Sequence, residues 1–118
     1  MSDYDLELYQ PFREYKTIAE MDKRQAIILA KEYKRVVSEK MPLVDMYLYG
    51  SYSKGNFNAD SDIDIAVIVD KLNDNYFEDT PLLWKLRRKV STLIEPVLFA
   101  KDSDDPLYED ICKTGILI

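Results

Sequence analysis

Residues 62–69, Asp-Ile-Asp-Ile-Ala-Val-Ile-Val, constrain this chain more than any other stretch. Their aliphatic and β-branched side chains favour a strand. Side chains alternate along a strand, so Asp62, Asp64, Ala66 and Ile68 share one face while Ile63, Ile65, Val67 and Val69 share the other. Two acids thus open one face of an otherwise strongly apolar segment. Like charges so placed repel unless a cation or a hydrogen-bond donor lies between them. The rise between Asp62 and Asp64 is about 6 to 7 Å, which lets their carboxylates converge on one or two divalent cations. Oxygen donors of this kind suit Mg²⁺.

The chain has 118 residues, enough for one domain with a single core. Residues 1–22 carry Tyr4, Tyr9 and Tyr15 among scattered acids and read as an extension; residues 23–118 read as the domain. Asp22 is expected to cap a helix over residues 23–40, with Ile27, Ala30, Lys34 and Val37 together with Ile28, Leu29, Tyr33 and Val36 giving a broad apolar side. Pro42 closes that helix, and residues 44–49 read as a strand ending at Gly50. Residues 50–60 form a loop with room for one helical turn, followed by the strand at 62–69 and a polar connection over 70–79. Thr80 as N-cap and Pro81 as first helical residue predict a helix to about Thr92, burying Leu82, Leu83, Leu86, Val90 and Leu93. A third strand at 93–100, a short helix at 105–113 and a terminal strand or cap at 115–118 complete the order. Such a succession predicts an α/β or α+β domain with a small mixed sheet flanked by helices.

Charge and composition exclude several functions. The net charge of -6 opposes a phosphate backbone, so a nucleic-acid substrate is disfavoured. One cysteine, Cys112, leaves no intramolecular disulfide and is expected to pack as a small side chain. The acidic start has no signal-peptide pattern and no apolar run spans a membrane, which makes the cytoplasm the expected compartment. Histidine is absent altogether, which removes the commonest general base and every Ser-His-Asp arrangement. Chemistry in this chain must rest on carboxylates. A pair of bound metal ions can activate an attacking oxygen and stabilise a leaving one, so displacement at phosphorus needs no histidine.

Gly50-Ser51 precedes Asp62-Ile63-Asp64 by ten residues, directly after one expected strand and at the start of the next. Alone, Gly-Ser is an ordinary turn. In this setting Gly50 lets backbone approach a triphosphate closely, and Ser51 offers a hydroxyl and an N–H. Lys54 adds positive charge nearby, and Ser61 orients the start of the strand. The basic run Lys85, Arg87, Arg88 and Lys89 reads as a solvated helix face, and Trp84 as a core or interface residue.

The segment from Tyr49 to Gly55, together with Ser61-Asp-Ile-Asp-Ile65 and the ending Ile111 to Ile116, resembles the minimal nucleotidyltransferases of the DNA polymerase beta superfamily. Members of this group are known chiefly as antitoxin partners of HEPN-domain toxins. The resemblance covers roughly residues 23–118 and implies the polymerase beta-like fold, bound ATP or another nucleoside triphosphate, and two Mg²⁺ ions. It also implies a third carboxylate on a neighbouring strand, able to accept the acceptor's proton. Glu95 is the only acid in residues 93–100, where the family more often has Asp. The implied reaction transfers AMP to a hydroxyl, a tyrosine of the toxin. In the competing reading the chain is a weakly active or inactive module that neutralises its partner by contact, and Glu95 is the residue that favours it. Either reading accommodates an oligomer.

Overall fold

The computed structural model describes residues 23–55, 62–72 and 76–118. The extension at residues 1–22, its Asp22 cap and Ser61 lie outside the described residues. The first helix, α1, spans Lys23–Ser38 and buries Ala26, Ala30, Tyr33, Val36 and Val37. Ile27 and Leu29 of the expected stripe pack partly against the same core, Ala26 joins it, and Ile28 falls outside it. Ile28 is 59% exposed because it lies about 200° round the helix from Ala26, whose small side chain faces the core.

The strand β1, Asp45–Tyr49, pairs antiparallel with β2, Ile63–Val69, and β2 pairs parallel with β3, Ile94–Ala100. A two-residue strand, β4, Ile116–Leu117, pairs antiparallel with β1 on its other side. The sheet order is therefore β3-β2-β1-β4, a mixed sheet with β2 inside it. Parallel pairing of β2 and β3 needs a crossover, supplied by the helix α3, Tyr76–Leu86, and a 3₁₀ turn at Arg87–Lys89.

The period of two in β2 sorts the core into two layers. Ile63, Ile65 and Val67 pack with α1 residues and with Leu83, Leu86 and Ile94. Ala66 and Ile68 pack with Phe99 and with Ile111 of the last helix, α4, Pro106–Thr114. Each fully buried aliphatic side chain contributes about 1.5 to 3 kcal/mol, which is why β2 is the centre of the fold. Tyr33 is fully buried and donates to the Leu83 carbonyl at 2.7 Å, tying α1 to α3.

Two boundaries differ from the sequence expectation for reasons visible in the chain. The helix α3 begins at Tyr76, so Thr80 is no N-cap and Pro81 lies inside the helix. Pro81 lacks an N–H and leaves one helical carbonyl without its donor, but burial of Leu83 and Leu86 keeps the segment helical through it. Thr80 Oγ1 is buried without a hydrogen-bond partner. The same helix ends early, at Leu86, instead of near Thr92. Ser91 Oγ accepts from Leu93 N at 3.1 Å, a local bond that competes with the helical pattern.

The short helix expected over residues 105–113 is α4, where Asp105 caps the first turn by accepting from Leu107 N at 2.8 Å and Pro106 follows it. Cys112, expected to be packed, is exposed. Among the described residues no helix is long and apolar enough to cross a membrane.

Candidate active site

The site is built at one end of the sheet by strand register. Asp64 lies opposite Tyr49 on one side and Glu95 on the other, so Tyr49, Asp64 and Glu95 form one row across β1, β2 and β3. The next places along the strands are Tyr47, Ala66 and Val97, all in the apolar layer with α4. Asp62 sits just before β2 and is exposed, while Asp64 and Glu95 are partly buried. The three carboxylates sense one another. Burial, and then the Asp62 charge, raise the Asp64 pKa. Glu95 is raised by burial first, then by the Asp62 charge and a hydrogen bond with Asp62, then by Asp64; Arg87 opposes the shift.

Immediately after Tyr49 the chain turns at Gly50, with φ 73° and ψ -144°. That conformation is open to glycine and strained for other residues. A Cβ at Gly50 would overlap Asp64 Oδ2 and lie 3.3 Å from Asp64 Cγ. Glycine here allows the turn to close against the Asp64 carboxylate. The short helix α2, Ser51–Lys54, follows and ends at Gly55, whose N–H donates to the Ser51 carbonyl at 2.9 Å. Gly50 and Ser51 are thus held at the same end of the sheet as Asp64. Lys54 is less tied to the carboxylates: its ammonium pairs with Asp110 of α4 at 3.4 Å, and both side chains are half exposed.

Two residues near the carboxylates carried no sequence signal for a role there. Tyr49 is half-buried, and its hydroxyl is pushed up to about 12 by burial and then by Asp64 and Glu95. Its place in the row follows from register, which no sequence pattern gives. Arg87 belongs to the run read as a solvated face, yet it is partly buried while Lys85, Arg88 and Lys89 are exposed. Its guanidinium lies 4.6 Å from the Trp84 ring centroid, and Trp84 is 39% exposed.

An all-oxygen donor set that repels itself fits a hard divalent cation better than a proton or nothing. Among the described residues no three such side chains form a ready-made metal cage. Mg²⁺ commonly takes only one or two carboxylates and completes its shell with water and phosphate oxygens, so the residues fit it together with a bound nucleotide.

Several known proteins are similar to this chain in sequence or fold. A Methanocaldococcus jannaschii protein named as a protein adenylyltransferase, MJ0141, is 24% identical over 98 residues, covering 78% of this chain and 97% of that protein. A crystal structure from Sulfolobus solfataricus, described as a nucleotidyltransferase, superposes with a TM-score of 0.60 at 21% identity, covering 86% of each chain. A toxin–antitoxin crystal structure with AMP-PNP superposes with a TM-score of 0.52 at 26% identity, covering 75% of this chain and 70% of that one. Residues 31–118 match the family described as polymerase beta, nucleotidyltransferase, and with the mixed sheet and its row of carboxylates the chain belongs to that family.

Proposed function

We propose that this chain transfers AMP from ATP to a hydroxyl acceptor, a tyrosine of a HEPN-domain toxin, and thereby acts as an antitoxin. The observation that carries the reading is the register of Asp64 against Glu95, with Asp62 two residues before Asp64 at the same end of the sheet. The adenylyltransferase name of one relative and the AMP-PNP and toxin in the structure of another support the nucleotide and the partner class.

Asp62, Asp64 and Glu95 would hold Mg²⁺, which when bound offsets the triphosphate charge and favours the ionised acceptor. Gly50 and Ser51 line the turn beside Asp64, where a phosphate chain meets backbone rather than side chain. Lys54 and Ser61 are assigned supporting roles at the phosphates. The acceptor oxygen bonds to the α-phosphorus, the bond to pyrophosphate breaks, and Glu95 takes the hydroxyl proton.

A direct test incubates the purified chain with α-labelled ATP, Mg²⁺ and the protein encoded beside it. Label on that neighbour, lost when Mg²⁺ is chelated, is the expected result. Stable complex formation with no transfer of label would instead support neutralisation by contact, the reading that Glu95 in place of Asp favours.

A further inference from the structure

Strand β3 reaches the site through a turn with little regular structure of its own, so something must fix where Glu95 emerges. The segment runs from the 3₁₀ turn at Arg87–Lys89 to Ile94, and Arg87 folds back over it. One guanidinium nitrogen, Nη1, donates to the Thr92 carbonyl at 2.7 Å and to the Ile94 carbonyl at 3.1 Å. These two carbonyls flank Leu93, and Ile94 directly precedes Glu95. The Arg87 backbone contributes too: its carbonyl accepts from Val90 N at 2.9 Å and Ser91 N at 2.8 Å. Trp84, one helical turn earlier, lies against the guanidinium and restricts its motion.

We infer that Arg87 is a positioning residue of the active site, a clasp that fixes the start of β3 and so sets the Glu95 carboxylate opposite Asp64. The inference rests on the proposed role of Glu95. A charge-assisted bond to a carbonyl is stronger than a neutral one, and two such bonds from one rigid, planar group define position as well as energy. Residues that orient a metal ligand typically govern metal affinity or rate by about 10- to 100-fold. Arg88 provides the contrast. It is the next residue, equally charged, and exposed.

The test compares Arg87→Met, Arg87→Lys and Arg88→Met in the full chain. Mn²⁺ binding, followed by electron paramagnetic resonance, serves as a readout independent of turnover, and transfer kinetics give kcat and KM. Arg87→Met is expected to weaken Mn²⁺ binding about tenfold and to lower kcat about tenfold at unchanged KM for ATP. Arg87→Lys should recover part of both losses, because an ammonium can reach a carbonyl but sits on a shorter, flexible stem without the rigid planar group, and Arg88→Met should match the wild type. Equal weakening by Arg87→Met and Arg88→Met would reduce the effect to net charge and overturn the clasp. So would wild-type Mn²⁺ affinity and kcat in Arg87→Met or, if that variant does not fold, in Arg87→Lys. A wild-type chain that binds Mn²⁺ but transfers nothing would count against the proposed reaction, while the Mn²⁺ comparison would still decide the role of Arg87.

Discussion

Glu95 and Gly50 are the residues whose chemistry is least interchangeable. Glu95→Gln keeps the size of the side chain but removes the charge that faces Asp62 and Asp64, so transfer is expected to fall by about 100-fold or more. Glu95→Asp retains the charge and should keep much of the activity; steady-state kinetics of the two variants side by side measure this. Gly50→Ala adds a Cβ where Asp64 Oδ2 sits and forces alanine to a positive φ. The backbone alone costs about 1 to 3 kcal/mol. The larger effect is expected on the site, with Mn²⁺ affinity reduced tenfold or more while circular dichroism still shows a folded chain.

At the scale of elements, much was legible because hydrophobic period and turn chemistry agree. The alternation in β2 gave both faces of the central strand, and a short helix expected over residues 105–113 is found as α4. Where the two signals disagree, tertiary packing decided. Thr80-Pro81 looks like a helix start, yet Leu83 and Leu86 bury deeply enough to carry α3 through the proline from Tyr76. The row Tyr49–Asp64–Glu95 was only partly legible: periodicity assigns each side chain to a face, but register is a long-range property. Arg87 was hidden for the same reason, since a basic run says nothing of which member turns inward. The Tyr33 bond to the Leu83 carbonyl makes a prediction at this scale. Tyr33→Phe removes that bond from a carbonyl that also serves the helix, and should cost about 0.5 to 1.5 kcal/mol in urea unfolding, with little change in transfer by the remaining folded protein.

For the whole molecule, a repelling carboxylate site makes stability depend on pH and on cations. Asp64 and Glu95 have folded pKa values raised above the ordinary 3.8 and 4.5, so over that range the folded state binds more protons than the unfolded one. Their contribution to stability is therefore greatest at low pH and is lost as pH rises from near 4 through the raised values. In metal-free buffer, Asp64→Asn and Glu95→Gln should flatten this fall in melting temperature. Saturating Mg²⁺ and nucleotide should offset it by binding the ionised, folded form. A melting temperature that rises with pH across the same window, with a slope these substitutions abolish, would contradict the assigned shifts.

The central claim is that Asp62, Asp64 and Glu95 together make a metal-dependent nucleotide site. Calorimetric titration with AMP-PNP tests it without requiring an acceptor or turnover. With Mg²⁺ the wild-type chain is expected to bind the analogue, and to lose at least tenfold in affinity when Mg²⁺ is chelated. Asp62→Asn and Asp64→Asn should each reproduce that loss with Mg²⁺ present. Binding that is indifferent to chelation and unchanged in both variants would place the nucleotide elsewhere and contradict the account.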